Sequence, residues 1–529
     1  MNYWCTWGIQ NALSRTGTGN QDCGRFAGDQ GARSARRNMS EELLFGSDGW
    51  AETMFPKSRK DLLLLLDDGW DVPLDADPCV SIRPFSALVP DAGRFPGLGA
   101  TGAERLKNLN ERIAAAGWMG AALWVACQGF GEGGGVSFGD REGRDCWRRR
   151  MEVSQKAGIR YWKIDWGARD GSVEYRKMIG DVRDEVYPEL VLENKPLSYW
   201  APFNGIEFQN GGECKGTGRI FGEEDCSRDD WTGTDIGRLC AFSDVVRIYD
   251  MLQPLDGATA FDRIAFYGMV VDKTCARTVL NVEGSVVAGA VLGHAFGIMR
   301  APGVDGGLYG PADDVSRLCK RIAEVDRAVA WQRIAPAFGG RSDCRSRFSK
   351  RTLTDVWRFK AGEGWLAAAW GREVFQCAPA VLSRGMELPE VHALEAEPPF
   401  VAAMSHPNGA VSVGAFPRVC AGRYWTPKAT VKIACPPAHG RPLAVFGEMA
   451  ELRIPGKLAT CGARVFAKDL AGGEAHEITS LLSQDAGGTV IPGDVLAEIG
   501  READPQDVHS APGTLVFATE SPLTGKAKQ

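Results

Sequence analysis

Five consecutive leucines, Leu62–Leu66, restrict the fold of this chain more than any other stretch of its sequence. A strand with apolar side chains on both faces is typical of a parallel sheet that is covered on both sides. The run ends abruptly at Asp67, Asp68 and Gly69. We therefore expect a buried parallel strand that carries two carboxylates at its carboxyl end.

Similar strand-like segments alternate with helical patterns along the first part of the chain. Strands are predicted at 3–9, 62–66, 120–128, 160–165, 190–194 and 245–250, helices at 101–116, 145–158, 173–186 and 258–270, and a long loop at 11–38. Strands that alternate with helices indicate βα units around a parallel sheet. About 300 residues suits a (β/α)8 TIM barrel with insertions, so the predicted fold class is α/β.

From about residue 341 the pattern changes. Short strand-like runs near 353–359, 364–370, 410–416, 429–434 and 443–446 are separated by Gly, Pro and polar residues. Such runs are typical of an antiparallel β-sandwich. We predict a barrel that carries the chemistry at 1–335, an all-β domain at 336–515 and a disordered tail at 516–529.

The composition excludes several classes of partner. The formal net charge is −6 and the sequence has no basic block, so neither nucleic acid nor an anionic membrane surface is an expected partner. No apolar run approaches the ~18 residues that would span a bilayer, and no secretory leader is visible. This predicts a cytoplasmic protein, unless a leader has been removed. Six histidines and scattered cysteines lack the spacing of a zinc site, so no metal or cofactor is expected; the oligomeric state is left open.

The segment 161–167, Tyr-Trp-Lys-Ile-Asp-Trp-Gly, combines a predicted strand with two charges. Residues i and i+2 of a strand share a face, so Lys163 and Asp165 are expected to point the same way at the strand's exit. The carboxyl ends of barrel strands are where such folds carry chemistry. A structural ion pair at a strand end is the alternative interpretation of these two residues.

Three predicted strand ends carry acids: Asp67 with Asp68, Asp165, and Asp250. In a barrel, strand ends that are distant in sequence meet at one mouth. Two converging carboxylates with aromatic neighbours are typical of a glycosidase, in which one acts as nucleophile and the other as acid/base. Asp244 is a second candidate for the acid.

The same motifs resemble those of the clan D glycoside hydrolases, the α-galactosidases of families 27 and 36. Residues 67–70, Asp-Asp-Gly-Trp, resemble the DDGW motif of that clan, and Lys163-x-Asp165 is similar to its K-x-D nucleophile strand. Residues 245–250, Val-Val-Arg-Ile-Tyr-Asp, resemble a segment of the raffinose-synthase-like and seed-imbibition-like members of family 36. The resemblance covers about residues 1–300.

The resemblance implies a retaining exo-α-glycosidase, α-galactosidase-like, that acts on a terminal sugar of an oligosaccharide or glycoside. It implies that Asp165 is the nucleophile and Asp250 the acid/base, with their carboxyl groups ~5–5.5 Å apart. The residues that it implies at the substrate are the hydroxyl-binding Asp67, Asp68 and Lys163, the orienting Arg247, Glu193 near the 2-position of the sugar, and the aromatic walls Trp4, Trp7, Trp70 and Trp124.

Other functions stay open at this point. Tyr249 stands where the family usually has Ser or Thr, and residues 192–196 replace the Cys- and Gly-rich loop of family 36. The specificity could therefore be that of an α-N-acetylgalactosaminidase or another α-glycosidase, or the enzyme could be a raffinose-synthase-type transglycosidase. A non-catalytic carbohydrate-binding barrel is an alternative from another class. Residues 129–134 also match a GxGxxG pattern, a weak signal for nucleotide binding because no helix is predicted after it.

Overall fold

A computed structural model gives the structure of the chain. It describes residues 1–16, 35–74, 87–129, 141–196, 206–210, 213–214, 232–248, 255–300, 302, 321–359, 371–420, 422–458 and 462–519. Within these residues no helix is both long enough and apolar enough to cross a membrane.

Eight parallel strands form a closed barrel, as predicted. They are β1 (Asn2–Cys5), β2 (Leu62–Leu66), β3 (Ala121–Val125), β4 (Tyr161–Ile164), β5 (Val191–Asn194), β6 (Val245–Ile248), β7 (Val279–Val282) and β8 (Gly297–Ile298). Each strand from β1 to β6 pairs with the next, and β1 also pairs with β8. Backbone hydrogen bonds from Gly284 to Gly297 and from Ala295 to Leu280, both 2.9 Å, join β7 to β8 and close the barrel.

The five leucines of β2 show why this strand is apolar on both faces. Leu62, Leu64 and Leu66 point outward and pack in the core between the barrel and its helices. Leu63 and Leu65 point inward and pack in the barrel interior. Burial on both faces, which the sequence predicted, follows from this alternation.

Helices cover the outside of the barrel. They are α1 (Trp7–Thr16), α2 (Glu41–Phe45), α3 (Trp50–Thr53), α4 (Gly102–Ala115), α5 (Arg141–Lys156), α6 (Val173–Val186), α7 (Asp235–Phe242), α8 (Asp256–Thr274), α9 (Val286–Val291) and α10 (Ala323–Ile334). The predicted helix at 101–116 is confirmed, and it begins at a capping box in which Thr101 and Glu104 bond reciprocally. The prediction of a strand up to residue 9 and of a loop at residues 11–16 is wrong, because α1 already begins at Trp7. Residues 17–34 of the predicted loop lie outside the described part of the chain.

The C-terminal region is all-β apart from the short helix α11 (Gly493–Ile499). One sheet has eight strands, in the order Ser346–Phe348, Val381–Arg384, Phe400–Ser405, Val411–Phe416, Leu443–Phe446, Gly513–Thr519, Arg464–Asp469, His476–Glu477. A second has five, in the order Glu390–Ala393, Ala429–Lys432, Glu451–Ile454, Gly488–Pro492, Ser483–Asp485. Side chains of both sheets meet in one apolar core, which is the layering of a sandwich.

Most strand pairs of the sandwich are antiparallel, as predicted, but three are parallel. The parallel pairs are Val381–Arg384 with Phe400–Ser405, Val411–Phe416 with Leu443–Phe446, and Ala429–Lys432 with Glu451–Ile454. Two smaller sheets complete the region, one of Thr352–Arg358, Glu373–Pro379, Ile206–Asn210 and Glu213–Cys214, the other of Arg418–Cys420 and Arg423–Trp425. The run predicted at 364–370 lies outside the described residues.

The boundary predicted at residue 515 needs a correction. The strand Gly513–Thr519 continues to residue 519 and pairs with Arg464–Asp469 along its whole length. Residues 516–519 therefore belong to the sandwich, because their backbone groups take part in its ladder. Residues 520–529 of the predicted tail lie outside the described part of the chain.

Candidate active site

Six charged side chains from five barrel strands or their ends converge inside the barrel toward its carboxyl end. We call them the charged cluster, and its members are Asp67, Lys163, Asp165, Lys195, Arg247 and Glu283. Each lies at an inward position of its strand or just past the strand's end, since inward and outward positions alternate. The barrel therefore brings together residues that are far apart in sequence.

Asp165 lies just past β4 with cations beside both carboxylate oxygens. The Nζ of Lys195 is 3.1 Å from Oδ1, and the Nη2 of Arg247 is 3.2 Å from Oδ2. The indole N–H of Trp124 donates to Oδ2 at 3.0 Å. Burial disfavours the charged form, but Lys195, Arg247 and Lys163 outweigh it and hold the pKa of Asp165 well below its ordinary value. Asp165 is thus an ionised carboxylate, and its side chain keeps 12% exposure.

Lys163 belongs to the layer of side chains beneath Asp165. Its ammonium donates to Asp67 Oδ2 at 3.0 Å and to Glu283 Oε1 at 2.9 Å. Its side chain is only 3% exposed. Lys163 therefore does form structural ion pairs at this strand end, but its partners are Asp67 and Glu283.

The two aspartates after β2 have different partners. Asp67 accepts from Lys163, from the thiol of Cys5 at 3.1 Å and from the backbone N–H of Asp68 at 2.8 Å. Asp68 forms two hydrogen bonds with the guanidinium of Arg36, both 2.8 Å. Burial raises the pKa of Asp68 to about 6, although Arg36 acts in the opposite direction. Both carboxylates are buried and bonded to groups of the protein itself.

Glu193 lies level with Lys163, its register partner on the neighbouring strand. It accepts hydrogen bonds from the hydroxyls of Tyr3 at 3.0 Å and Tyr161 at 2.7 Å, and from the amide of Asn281. It is completely buried, and burial raises its pKa. The side chain of Glu193 lies in the barrel interior, because its strand position falls below the level of Asp165, and its implied place near the sugar's 2-position stays a prediction.

The tryptophans separate into two groups. Trp124 reaches Asp165, and Trp166 packs beside it with ring centroids 5.4 Å apart. Trp70 is fully buried and donates its indole N–H to the carbonyl of Trp124 at 2.9 Å. Trp4 faces the outer helices and stacks on Trp118 at 5.8 Å, because its neighbours in β1 occupy the inward positions. Neither Trp4 nor Trp70 forms a wall of the cluster.

The remaining candidates are Trp7, Asp244 and Asp250. Trp7 is partly buried against the interior cluster that contains Trp124. Asp244 immediately precedes β6 and therefore sits at the amino end of the barrel, where it contacts Arg183 and the backbone N–H of Leu192. This position is opposite to Asp165 and does not suit the acid of the same reaction. Asp250, and with it the expected carboxyl separation, lies outside the described residues, as do residues 130–134 of the glycine pattern.

The sequence reasoning missed three members of the site. Glu283 follows the alternating run Val279-Leu280-Asn281-Val282, in which polar residues two apart share the inward face; this signal was available. Lys195 lies two residues after Glu193 and could have been placed on the inward face in the same way. Arg36 gave no signal, because it lies in a Gly- and Arg-rich segment without periodicity.

No protein-family model and no curated protein matches the sequence. Among solved structures, the chain is similar to alpha-galactosidase I from Mortierella vinacea, with 13% identity, coverage of 67% of this chain and 80% of that one, and a TM-score of 0.31. It is also similar to a GH27 β-L-arabinopyranosidase from Geobacillus stearothermophilus, with 12% identity, coverage of 65% of this chain and 94% of that one, and a TM-score of 0.33. Similarity to the α-galactosidase from Saccharomyces cerevisiae has 8% identity, coverage of 98% of this chain and 97% of that one, and a TM-score of 0.33. TM-scores at this level carry no argument about activity, and the barrel rests on the strand pairing itself.

Proposed function

We propose that this protein is a retaining exo-α-glycosidase, α-galactosidase-like, that hydrolyses a terminal α-linked sugar. One observation carries the proposal: a carboxylate at the carboxyl end of a barrel strand, Asp165, is held ionised by Lys195 and Arg247 while its side chain stays partly accessible. A nucleophilic carboxylate needs both properties. The resemblance of residues 67–70, 163–165 and 245–250 to clan D motifs supports the same function.

In the proposed reaction Asp165 attacks the anomeric carbon as the glycosidic bond breaks. A proton donor, Asp250 by the resemblance, protonates the departing oxygen, and a covalent glycosyl-enzyme forms. Water then attacks the same carbon, the donor takes up a proton again, and Asp165 leaves as a carboxylate. Lys195, Arg247 and the indole N–H of Trp124 stabilise that carboxylate and orient it. Two inversions at one carbon give net retention.

The test is a panel of nitrophenyl α- and β-glycosides with the wild type, Asp165→Ala and the control Asp181→Ala. Asp181 is an exposed helix residue that pairs with Lys177, so its loss should leave the activity intact. We expect hydrolysis of an α-glycoside, a fall of several orders of magnitude in Asp165→Ala, and retained anomeric configuration by proton NMR. Activity that survives Asp165→Ala, or an inverted product, would contradict the proposal.

The same panel separates the related functions. Preference for the α-N-acetylgalactosaminide over the α-galactoside would assign the α-N-acetylgalactosaminidase specificity. A new glycoside formed with excess sugar acceptor would assign a transglycosidase, which uses the same covalent intermediate. Calorimetric binding of a sugar without turnover of any glycoside would assign a carbohydrate-binding barrel.

A further inference from the structure

Glu283 joins two of the three cations that act on Asp165, Lys163 and Arg247. It follows β7 and its side chain is 1% exposed. One carboxylate oxygen, Oε1, accepts from Lys163 at 2.9 Å and from the hydroxyl of Tyr3 at 3.0 Å. The other, Oε2, accepts from Arg247 Nη1 at 2.5 Å. A single carboxylate thus bridges β4 and β6 inside the barrel.

The bridge fixes the direction of the Arg247 guanidinium. This group is a rigid plane, so a bond at one terminal nitrogen restricts where the other can point. With Nη1 on Glu283, Nη2 lies 3.2 Å from Asp165 Oδ2. Arg247 is therefore shared between an internal anchor and the carboxylate at the mouth of the barrel.

Glu283 is also an ionised group. Burial opposes its ionisation, but Arg247 and Lys163 overcome that effect and hold the pKa of Glu283 at about 2. Its negative charge offsets part of the positive field of Lys163 and Arg247. Without that charge, the two buried cations would lose the carboxylate that they share.

We infer that Glu283 is a positioning residue of the reaction: it aims Arg247 at Asp165 and anchors Lys163 beneath it, without contacting the substrate. The inference rests on the proposed function of Asp165. It goes beyond that function because Glu283 belongs to none of the motifs that suggested it.

Two substitutions separate the geometric and the electrostatic effects of Glu283. Glu283→Gln keeps the shape and removes the charge, whereas Glu283→Asp keeps the charge but is one methylene too short to bridge Lys163 and Arg247. The control is Asp469→Asn, which disturbs another fully buried carboxylate–arginine pair, with Arg327, in the sandwich region. Each variant is assayed with nitrophenyl α-galactoside at a temperature where circular dichroism shows that it is folded.

We expect kcat to fall at least tenfold in both Glu283 variants, with KM within threefold of the wild type. In Glu283→Gln the alkaline limb of the kcat/KM profile should move to lower pH, because one negative charge fewer makes the proton donor more acidic. In Glu283→Asp the limb should stay in place. Asp469→Asn should change neither kcat nor the profile. A folded Glu283→Gln with the wild-type kcat and profile would overturn the inference.

Crystal structures of the wild type and Glu283→Asp give a readout that does not need turnover. We expect Arg247 Nη2 to leave its 3.2 Å contact with Asp165 in the variant. An unchanged guanidinium would overturn the positioning role. If the wild type hydrolyses no glycoside, the proposed function fails, and this comparison still decides whether Glu283 holds Arg247.

Discussion

The ammonium of Lys195 lies 3.1 Å from Asp165 Oδ1, although the two residues leave the barrel on different strands. Lys195 follows β5 and Asp165 follows β4, and the backbone N–H of Lys195 donates to the carbonyl of Ile164 at 3.2 Å. Backbone pairing that continues past the ends of β4 and β5 therefore brings this ion pair together. Its side chains are 14% and 12% exposed, so both keep some contact with solvent.

Replacing Lys195 with Gln should move the acidic limb of the activity profile. Lys195 is the strongest of the cations that lower the pKa of Asp165, so its loss should raise that pKa. More of Asp165 would then be protonated at the acidic end of the profile, and kcat/KM should fall more there than at pH 7. We expect an upward shift of the limb by about one pH unit. Lys177→Gln, at an exposed ion pair of α6, is the control, and superimposable profiles of Lys195→Gln and wild type would refute this role.

Replacing Trp124 with Phe should lower activity without loss of the fold. The variant keeps an aromatic ring in the barrel but loses the N–H that donates to Asp165 Oδ2 at 3.0 Å. A hydrogen bond to a charged group is worth about 1.5–3 kcal/mol, so kcat/KM should fall about tenfold or more. The matched control is Trp162→Phe, because Trp162 lies in the outer core and points away from the site. Equal activity of the two variants would contradict a role for the indole N–H.

Replacing Asp71 with Asn should stabilise the protein at high pH. Burial raises the pKa of Asp71 to about 7, whereas an unfolded aspartate titrates near 3.9. Between these pH values the folded protein keeps a proton that the unfolded chain has lost, so wild-type stability falls as the pH rises from about 4 to 7. Asp71→Asn removes this penalty, which is roughly 4 kcal/mol for a pKa difference of about 3 units. Urea unfolding should show a gain at pH 8 and none at pH 4; an equal change at both would exclude the titration of Asp71 as the cause.

Replacing Arg327 with Met should destabilise the contact between α10 and the sandwich. Arg327 forms two hydrogen bonds with Asp469, at 3.0 and 2.9 Å, and both side chains are fully buried. Removing one member of a buried pair leaves an uncompensated charge and costs about 3–5 kcal/mol. The free energy of unfolding in urea should fall by that amount, and the double variant Arg327→Met with Asp469→Leu should regain most of it. A single variant as stable as the wild type would mean that the pair is not required.

The sequence predicted much of the site's framework but few of its contacts. Strand periodicity and strand ends predicted that Asp67, Lys163 and Asp165 lie at the mouth of the barrel, and the resemblance implied Arg247 beside them. The structure brings all four together. The implied roles of Trp4, Trp70 and Glu193 at the substrate are not supported by their positions. Trp4 occupies an outward position of its strand and packs against Trp118. Glu193 occupies an inward position but lies level with Lys163, below Asp165.

The sequence by itself determined the barrel, the all-β region that follows it and the strand ends that carry charge, because these depend on periodicity within short stretches. Only the tertiary structure decided which charges pair. Lys163 and Glu283 are 120 residues apart, and they meet only because closure of the barrel places the ends of β4 and β7 across one interior. The ion pairs of Asp165 arise in the same way, since the local sequence sets the direction of a side chain but the closed barrel selects its neighbours.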